Sequence, residues 1–184
     1  MIESQQPMSV EAYLEQERGA EIRHEFVDGR PIAMVGESRQ HYTIARNITR
    51  ALEDTQPDRR CEVIMEAITV RVQAGRYRYP DVVVSCDPGT DRYVLENPCF
   101  LVEVLSESTA DTDHDKKLEE YMQLQSVQRY LIVSQSERRV IVYKRASDGW
   151  RVEILSETGE VDIPCLETTL SLDQIYAGLQ FSDK

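Results

Sequence analysis

The chain has 184 residues, 41% of them apolar, and 33 acidic against 21 basic side chains give it a formal net charge of -12. That length favours one domain with a real core over two. The acidic balance excludes a protein that coats nucleic acid by bulk electrostatics, because phosphate contact depends on Lys and Arg; any nucleic-acid contact has to be local. No apolar run approaches the ~20 residues that cross a bilayer, and the first residues lack a basic region followed by an apolar one. The expectation is a cytoplasmic chain without a membrane segment.

Residues 1–7 read as a loose arm, after which Ser9 caps a short helix to about Arg18, with Glu11 in its first turn. Residues 24–27, Asp28-Gly29 and 31–35 read as a hairpin, since an Asp-Gly step supplies the positive φ of a tight turn. Between His41 and Asp54, Ile44, Ala45, Ile48, Ala51 and Leu52 recur at helical spacing. Residues 61–72 read as one β-like run, with Ile68, Val70 and Val72 alternating against Thr69 and Arg71, and Gly75 turns the chain toward a strand at 79–84. Residues 87–98 form a loop rich in Asp, Pro and Gly, and a second apolar strand follows at 100–105. Ser108, Thr109 and Thr112 offer caps for a helix to about Leu124. Residues 128–134 return as a strand, 140–144 and 150–155 add two more, and 170–179 close as a short helix.

This order predicts a single α/β domain over 1–184: a mixed sheet flanked by helices on both faces, with an N-terminal helix and hairpin. The core spans 8–145, and 146–184 add C-terminal strands and a helix. The strand–helix–strand unit from 100 to 134 places its strands parallel. Cys61, Cys86, Cys99 and Cys165 are widely spaced, with no C-x-x-C pair, and are expected to be reduced packing residues. The basic groups Arg71, Arg76 and Arg78, Lys116 and Lys117, and Arg138, Arg139, Lys144 and Arg145 are expected to decorate solvated faces.

Asp81 and Glu103 each interrupt a strand whose other residues favour burial. An ionised carboxylate costs several kcal/mol to desolvate, so each needs a cation, either a bound metal or a basic side chain. If the two strands are neighbours the acids converge, and oxygen ligands of that kind suit Mg²⁺ or Mn²⁺ rather than zinc. The alternative is a structural ion pair. Lys117 lies one helical turn after Asp113 and one before Tyr121, a polar line beside Leu118 and Met122.

The order of several motifs resembles the Uma family of restriction-endonuclease-like proteins, a branch of the PD-(D/E)XK nucleases. The matching motifs are His24-Glu25-Phe26-Val27-Asp28-Gly29, the helix opening at His41, Pro80-Asp81, Val102-Glu103-Val104-Leu105-Ser106-x-Ser108-Thr109, Asp113-x-x-x-Lys117-x-x-x-Tyr121 and Arg129-Tyr130-Leu131-Ile132-Val133. They extend over about residues 8–145. The resemblance implies a restriction-endonuclease-like fold and a Mg²⁺- or Mn²⁺-dependent phosphodiesterase acting on DNA as a homodimer. It makes Asp81 and Glu103 the metal ligands, Lys117 the catalytic lysine, and Glu25 and His41 further site residues. The superfamily's nearer lysine position, two residues after the acid, holds Leu105; Lys117 on the helix takes its place, and Lys116 fits less well. His114 stands where the family pattern has Arg, and Ser126-Val127 where it has Gly. Two other classes stay open: a catalytically silent nucleic-acid- or protein-binding module of the same fold, and a hydrolase of small phosphate esters.

Overall fold

A computed structural model of the chain describes residues 7–34, 36–56, 58, 60–87, 89–105 and 111–181, with the side chains of 111–114 left out. Residues 1–6 of the arm expected over 1–7, the hairpin's end at Val35 and the caps Ser108 and Thr109 lie outside the described residues.

Helix α1 (Val10–Glu17) starts where Ser9 accepts a hydrogen bond from the Ala12 amide. Strands β1 (His24–Val27) and β2 (Arg30–Ala33) pair across Asp28 and Gly29, both at positive φ, as the sequence predicts. Helix α2 (Arg39–Glu53) buries the periodic set Ile44, Ala45, Ile48 and Leu52. The expected single β run over 61–72 is instead two strands in different sheets, β3 (Glu62–Met65) and β4 (Thr69–Gln73). The chain breaks between them at Glu66, which adopts a left-handed backbone (φ 50°). Strand β5 (Arg76–Arg78) turns back along β4, and β6 (Val82–Ser85) follows. The loop over 87–98 contains a short strand, β7 (Val94–Leu95), parallel to β4. Strand β8 (Phe100–Leu105), helix α3 (Asp111–Gln123) and strand β9 (Arg129–Ser134) form the expected unit, with β8 and β9 parallel. Strands β10 (Arg139–Ala146) and β11 (Gly149–Ser156) extend the sheet.

The C-terminal segment holds more strand than the sequence pattern shows. Strands β12 (Glu160–Ile163) and β13 (Thr168–Ser171) pair around a 3-10 turn (Pro164–Leu166), and the closing helix α4 is only Leu172–Ile175.

The central sheet is mixed, in the order β11-β10-β9-β8-β6-β3, and a second sheet runs β2-β1-β5-β4-β7. Alternate residues of β8 point to opposite layers. Phe100, Val102 and Val104 join α2, α4 and the β12–β13 hairpin in one core, whereas Leu101 joins Tyr121 of α3 and Val70 and Val72 of β4 in another. A third cluster seats Tyr13 of α1 on Phe26 and Tyr77 of the second sheet. Glu103 therefore falls on the α3 side, at the seam between the two sheets.

The cysteines correct the sequence reading. They pair as disulfides, Cys61 with Cys86 and Cys99 with Cys165. Spacing along the chain concealed this. The β3–β6 register that sets Glu62 against Ser85 puts Cys61 against Cys86, and the partners of the other bond are brought together by the C-terminal turn.

Candidate active site

Asp81 stands immediately before β6. The register Val82↔Val102, Val83↔Leu101, Val84↔Phe100 continues to set Asp81 opposite Glu103, so the two strands are neighbours as the convergence argument required. Directly opposed residues of an antiparallel pair have Cβ atoms roughly 5 Å apart on one face. Both acids are buried, at 5% and 8% exposure. Asp81 Oδ2 accepts a 2.6 Å hydrogen bond from the Val104 amide of β8, and the Asp81 carbonyl accepts one from the Glu66 amide.

Helix α3 supplies the cation. Lys117, Glu120 and Tyr121 share one face by their three- and four-residue spacing. Lys117 Nζ lies 2.8 Å from Glu25 Oε1 and 3.3 Å from Glu103 Oε2, and the Tyr121 hydroxyl donates to Glu103 Oε1 at 2.8 Å. Tyr121 is thus both packing and a site contact. Lys116 is exposed, which settles the choice between the two lysines as the neighbour of Glu103.

Glu25 does not pair with Arg23 or Arg30, its nearest basic residues in sequence. The β1–β5 register, Phe26↔Tyr77 and Val27↔Arg76, continues to oppose Glu25 to Arg78, whose Nη1 donates to Glu25 Oε2 at 2.7 Å. Arg78 is 1% exposed, not on a solvated face, and its Nε donates to Glu120 at 2.7 Å. Arg76 also reaches Glu120, and it grips Asp28 at the hairpin turn. Lys117 and Arg78 hold the Glu25 carboxyl below its usual range despite burial that acts the other way.

His41 enters from the opposite layer. Ser38 caps α2 by accepting from the His41 amide, which sets the ring in the first turn, 1% exposed. Its Nε2 lies 3.1 Å from Asp81 Oδ1 and 3.7 Å from Glu66, and its Nδ1 lies 3.2 Å from Glu37. The sequence showed no acid to orient this histidine; the fold provides three. These contacts become ion pairs when the ring is protonated. Burial works against the imidazolium, yet Asp81, Glu37 and Glu66 raise its pKa above the ordinary value.

Two carboxyl groups remain incompletely offset. Burial and the nearby Asp81 raise Glu66, and burial, opposed by Lys117 but reinforced by Asp81 and Glu25, pushes Glu103 up to about 7. Four carboxyl groups, Glu25, Glu66, Asp81 and Glu103, gathered around Lys117 and His41 suit a further cation, toward which His41 would be a ligand in its neutral form. His41, Glu66 and Asp81 offer ligand atoms within 4.8 Å of one another, next to Glu103 across the strand pair. The carboxylate oxygens fit a hard divalent ion, and the imidazole fits Mn²⁺ better than Mg²⁺. Glu66 and Glu37 escaped the sequence reading. For Glu66 a signal existed: an acid between Met65 and Ala67 in an otherwise apolar stretch.

With this geometry in place, the family comparison is decisive. The Uma2 family model, described as "Putative restriction endonuclease", matches residues 10–174. The chain belongs to the Uma2 family. Two uncharacterized proteins of Synechocystis sp. are similar to it. One is 30% identical over 178 residues, covering 95% of this chain and 94% of the relative; the other is 29% identical over 157 residues, covering 82% and 89%. A crystal structure from Anabaena variabilis, titled a "putative nuclease belonging to DUF820", superposes with a TM-score of 0.74 over 93% of this chain and 98% of that one. At 18% identity that likeness speaks for the fold, which is restriction-endonuclease-like.

Proposed function

We propose that this Uma2 protein is a divalent-metal-dependent endonuclease that hydrolyses DNA phosphodiesters. The observation that carries the reading is the opposed pair Asp81 and Glu103, still short of positive charge with Lys117 and His41 beside them. Asp81 and Glu103 would hold Mg²⁺ or Mn²⁺, with Glu66 and His41 as further donors. Such an ion, when bound, polarises the scissile phosphate and makes a water a better nucleophile.

The chain's own residues do the rest. Tyr121 fixes one Glu103 oxygen, and the Val104 amide fixes one Asp81 oxygen, so both acids present a defined edge without rearranging. Lys117, held between Glu25 and Glu103, stabilises negative charge developing on the phosphate, a preorganised electrostatic role. Glu25 and Arg78 keep that ammonium in place. Exposed Lys116 and Arg39, each within two residues of a site residue, would supply the local phosphate contacts that the acidic chain as a whole lacks. A homodimer places two such sites on opposite strands, and the cytoplasm is where the DNA is found.

A second reading draws on one contact. Lys117 is closer to Glu25 than to Glu103, which a purely structural ion pair in a silent DNA- or protein-binding module would also show. Mn²⁺ titration of the purified protein, followed by electron paramagnetic resonance and by cleavage of supercoiled plasmid, separates them. The nuclease reading expects Mn²⁺ binding that Asp81→Ala abolishes, together with cutting. DNA binding without metal binding or cutting selects the silent module, and cleavage of a small phosphodiester reporter but not of plasmid selects a small-ester hydrolase.

A further inference from the structure

All four cysteines, scattered over more than 100 residues of sequence, meet at one point of the fold, at the opposite end of β6 from Asp81. Cys61 immediately precedes β3, Cys86 immediately follows β6, and Cys99 immediately precedes β8. These three strands are adjacent, and their antiparallel registers bring those ends to the same edge of the sheet. The fourth, Cys165, comes down from the 3-10 turn between β12 and β13. The sulfurs of Cys86, Cys99 and Cys165 lie within 4.8 Å of one another, Cys86 and Cys99 are 4.0 Å apart, and Cys61 is joined to Cys86.

We propose that this cluster is a second metal site, a tetrathiolate that takes one Zn²⁺ when the cysteines are reduced. A zinc–sulfur bond of about 2.3 Å makes the edge of a tetrahedron about 3.8 Å, close to the Cys86–Cys99 separation. Two disulfides need only two independent pairs; here both pairs also stand against each other, the arrangement four ligands of one ion require. Thiolate sulfur selects a thiophilic metal such as zinc and disfavours the Mg²⁺ or Mn²⁺ suited to the carboxylate site. Sulfurs this close favour a single ion over an iron–sulfur cluster, which spreads its thiolates further apart. Cys61 and Cys99 are buried at 4% and 7% exposure, while Cys86 is exposed and gives reductant and metal an entry.

The conversion balances. Each disulfide accepts two electrons and two protons from a dithiol reductant, which closes to its own disulfide, and the four resulting thiols release their protons as Zn²⁺ binds. In either state the cluster ties the β12–β13 hairpin to the central sheet. Its place at the far end of β6 makes it an anchor, separate from the seam that holds Asp81 and Glu103.

The test uses the full chain, reduced with a dithiol, freed of reductant and metal without oxygen, and titrated with Co²⁺. The expected result is thiolate-to-cobalt charge-transfer bands and the visible bands of a tetrahedral ion, the thiolate bands saturating at one Co²⁺ per chain whatever the carboxylate site binds. Zn²⁺ should displace it and raise the Tm. The same spectrum should persist in Asp81→Ala, which alters only the carboxylate site, and should vanish in Cys99→Ser and in Cys165→Ser. The untreated disulfide form should show none of it. A reduced chain with four free thiols but no thiolate–cobalt bands, bands that survive either serine variant, or a reduced chain that unfolds and does not recover with Zn²⁺ would each overturn the proposal. None of these outcomes depends on nuclease activity.

Discussion

Replacing Arg78 by Met tests the charge network that positions Lys117. Arg78 is 1% exposed and donates at 2.7 Å to both Glu25 and Glu120, which are themselves buried. Breaking a buried ion pair by removing one partner costs about 3–5 kcal/mol, because a charge is left behind without water or counter-ion. Here each stranded carboxylate keeps one cation, Glu25 its Lys117 at 2.8 Å and Glu120 its Arg76 at 2.7 Å. The loss should therefore fall at the low end, about 3 kcal/mol, or roughly 6–12 °C in Tm for a chain of this size. Urea unfolding should be followed by far-UV circular dichroism and by the fluorescence of the single tryptophan, Trp150. Adding Glu120→Gln to the variant should restore part of the loss, since one stranded charge is removed. A loss below about 1 kcal/mol, or a double variant no better than the single one, would refute the claim that these contacts act as a buried network.

Other expectations follow from single contacts. Glu103 is pushed up to about 7 in the folded chain, whereas an unfolded Glu titrates near 4.3. Between those values the native state retains a proton that the unfolded chain has released. Metal-free stability should thus fall as pH rises from about 4.3 to 7 and level off above, by at most about 4 kcal/mol, and Glu103→Gln should flatten that part of the curve in pH-dependent denaturation. Mn²⁺ should reverse the slope, because ligand carboxylates bind it only when deprotonated. Tyr121→Phe removes the donor to Glu103 Oε1 and should weaken Mn²⁺ binding about tenfold by titration, as the loss of a group that orients a ligand does; unchanged affinity would leave Tyr121 as packing alone. Gly29→Ala should destabilise the hairpin, measurable as a lower Tm, since φ there is 84° and an added Cβ would lie 2.5 Å from Pro7 Cβ.

The central strands and the opposed acids were legible because their determinants are local. Each acid sits in an apolar run that reads as a buried strand, while the adjacency of the two strands was a condition of the convergence argument that the β6–β8 register meets. Lys117 was legible from its place on the following helix. What escaped depends on pairings distant in sequence. Arg78 reads as one of several exposed arginines until β1 is laid beside β5, and only then does Glu25 face it. His41 was named from the family resemblance, but its contacts with Asp81 and with the unforeseen Glu66 join elements that meet only in the folded core. The break at Glu66 was hidden because β-branched and apolar residues flank it on both sides, and the turn there rests on a backbone conformation rather than on Gly or Pro. The cysteine pairs were missed for the same reason as Arg78, since strand register, not spacing, unites them.

The most direct measurement of the central claim is cutting of supercoiled plasmid by the purified protein in Mn²⁺ or Mg²⁺, with and without chelator, beside folded Asp81→Asn, Glu103→Gln and Lys117→Met variants. The nuclease account predicts metal-dependent nicking and linearisation by the native chain. It predicts a loss of about 10²–10³ in rate for Lys117→Met, comparable to removing one preorganised group that stabilises transition-state charge, and deeper losses for the two acid variants. Plasmid left intact at every metal concentration, or cutting that persists undiminished in the acid variants, would contradict it.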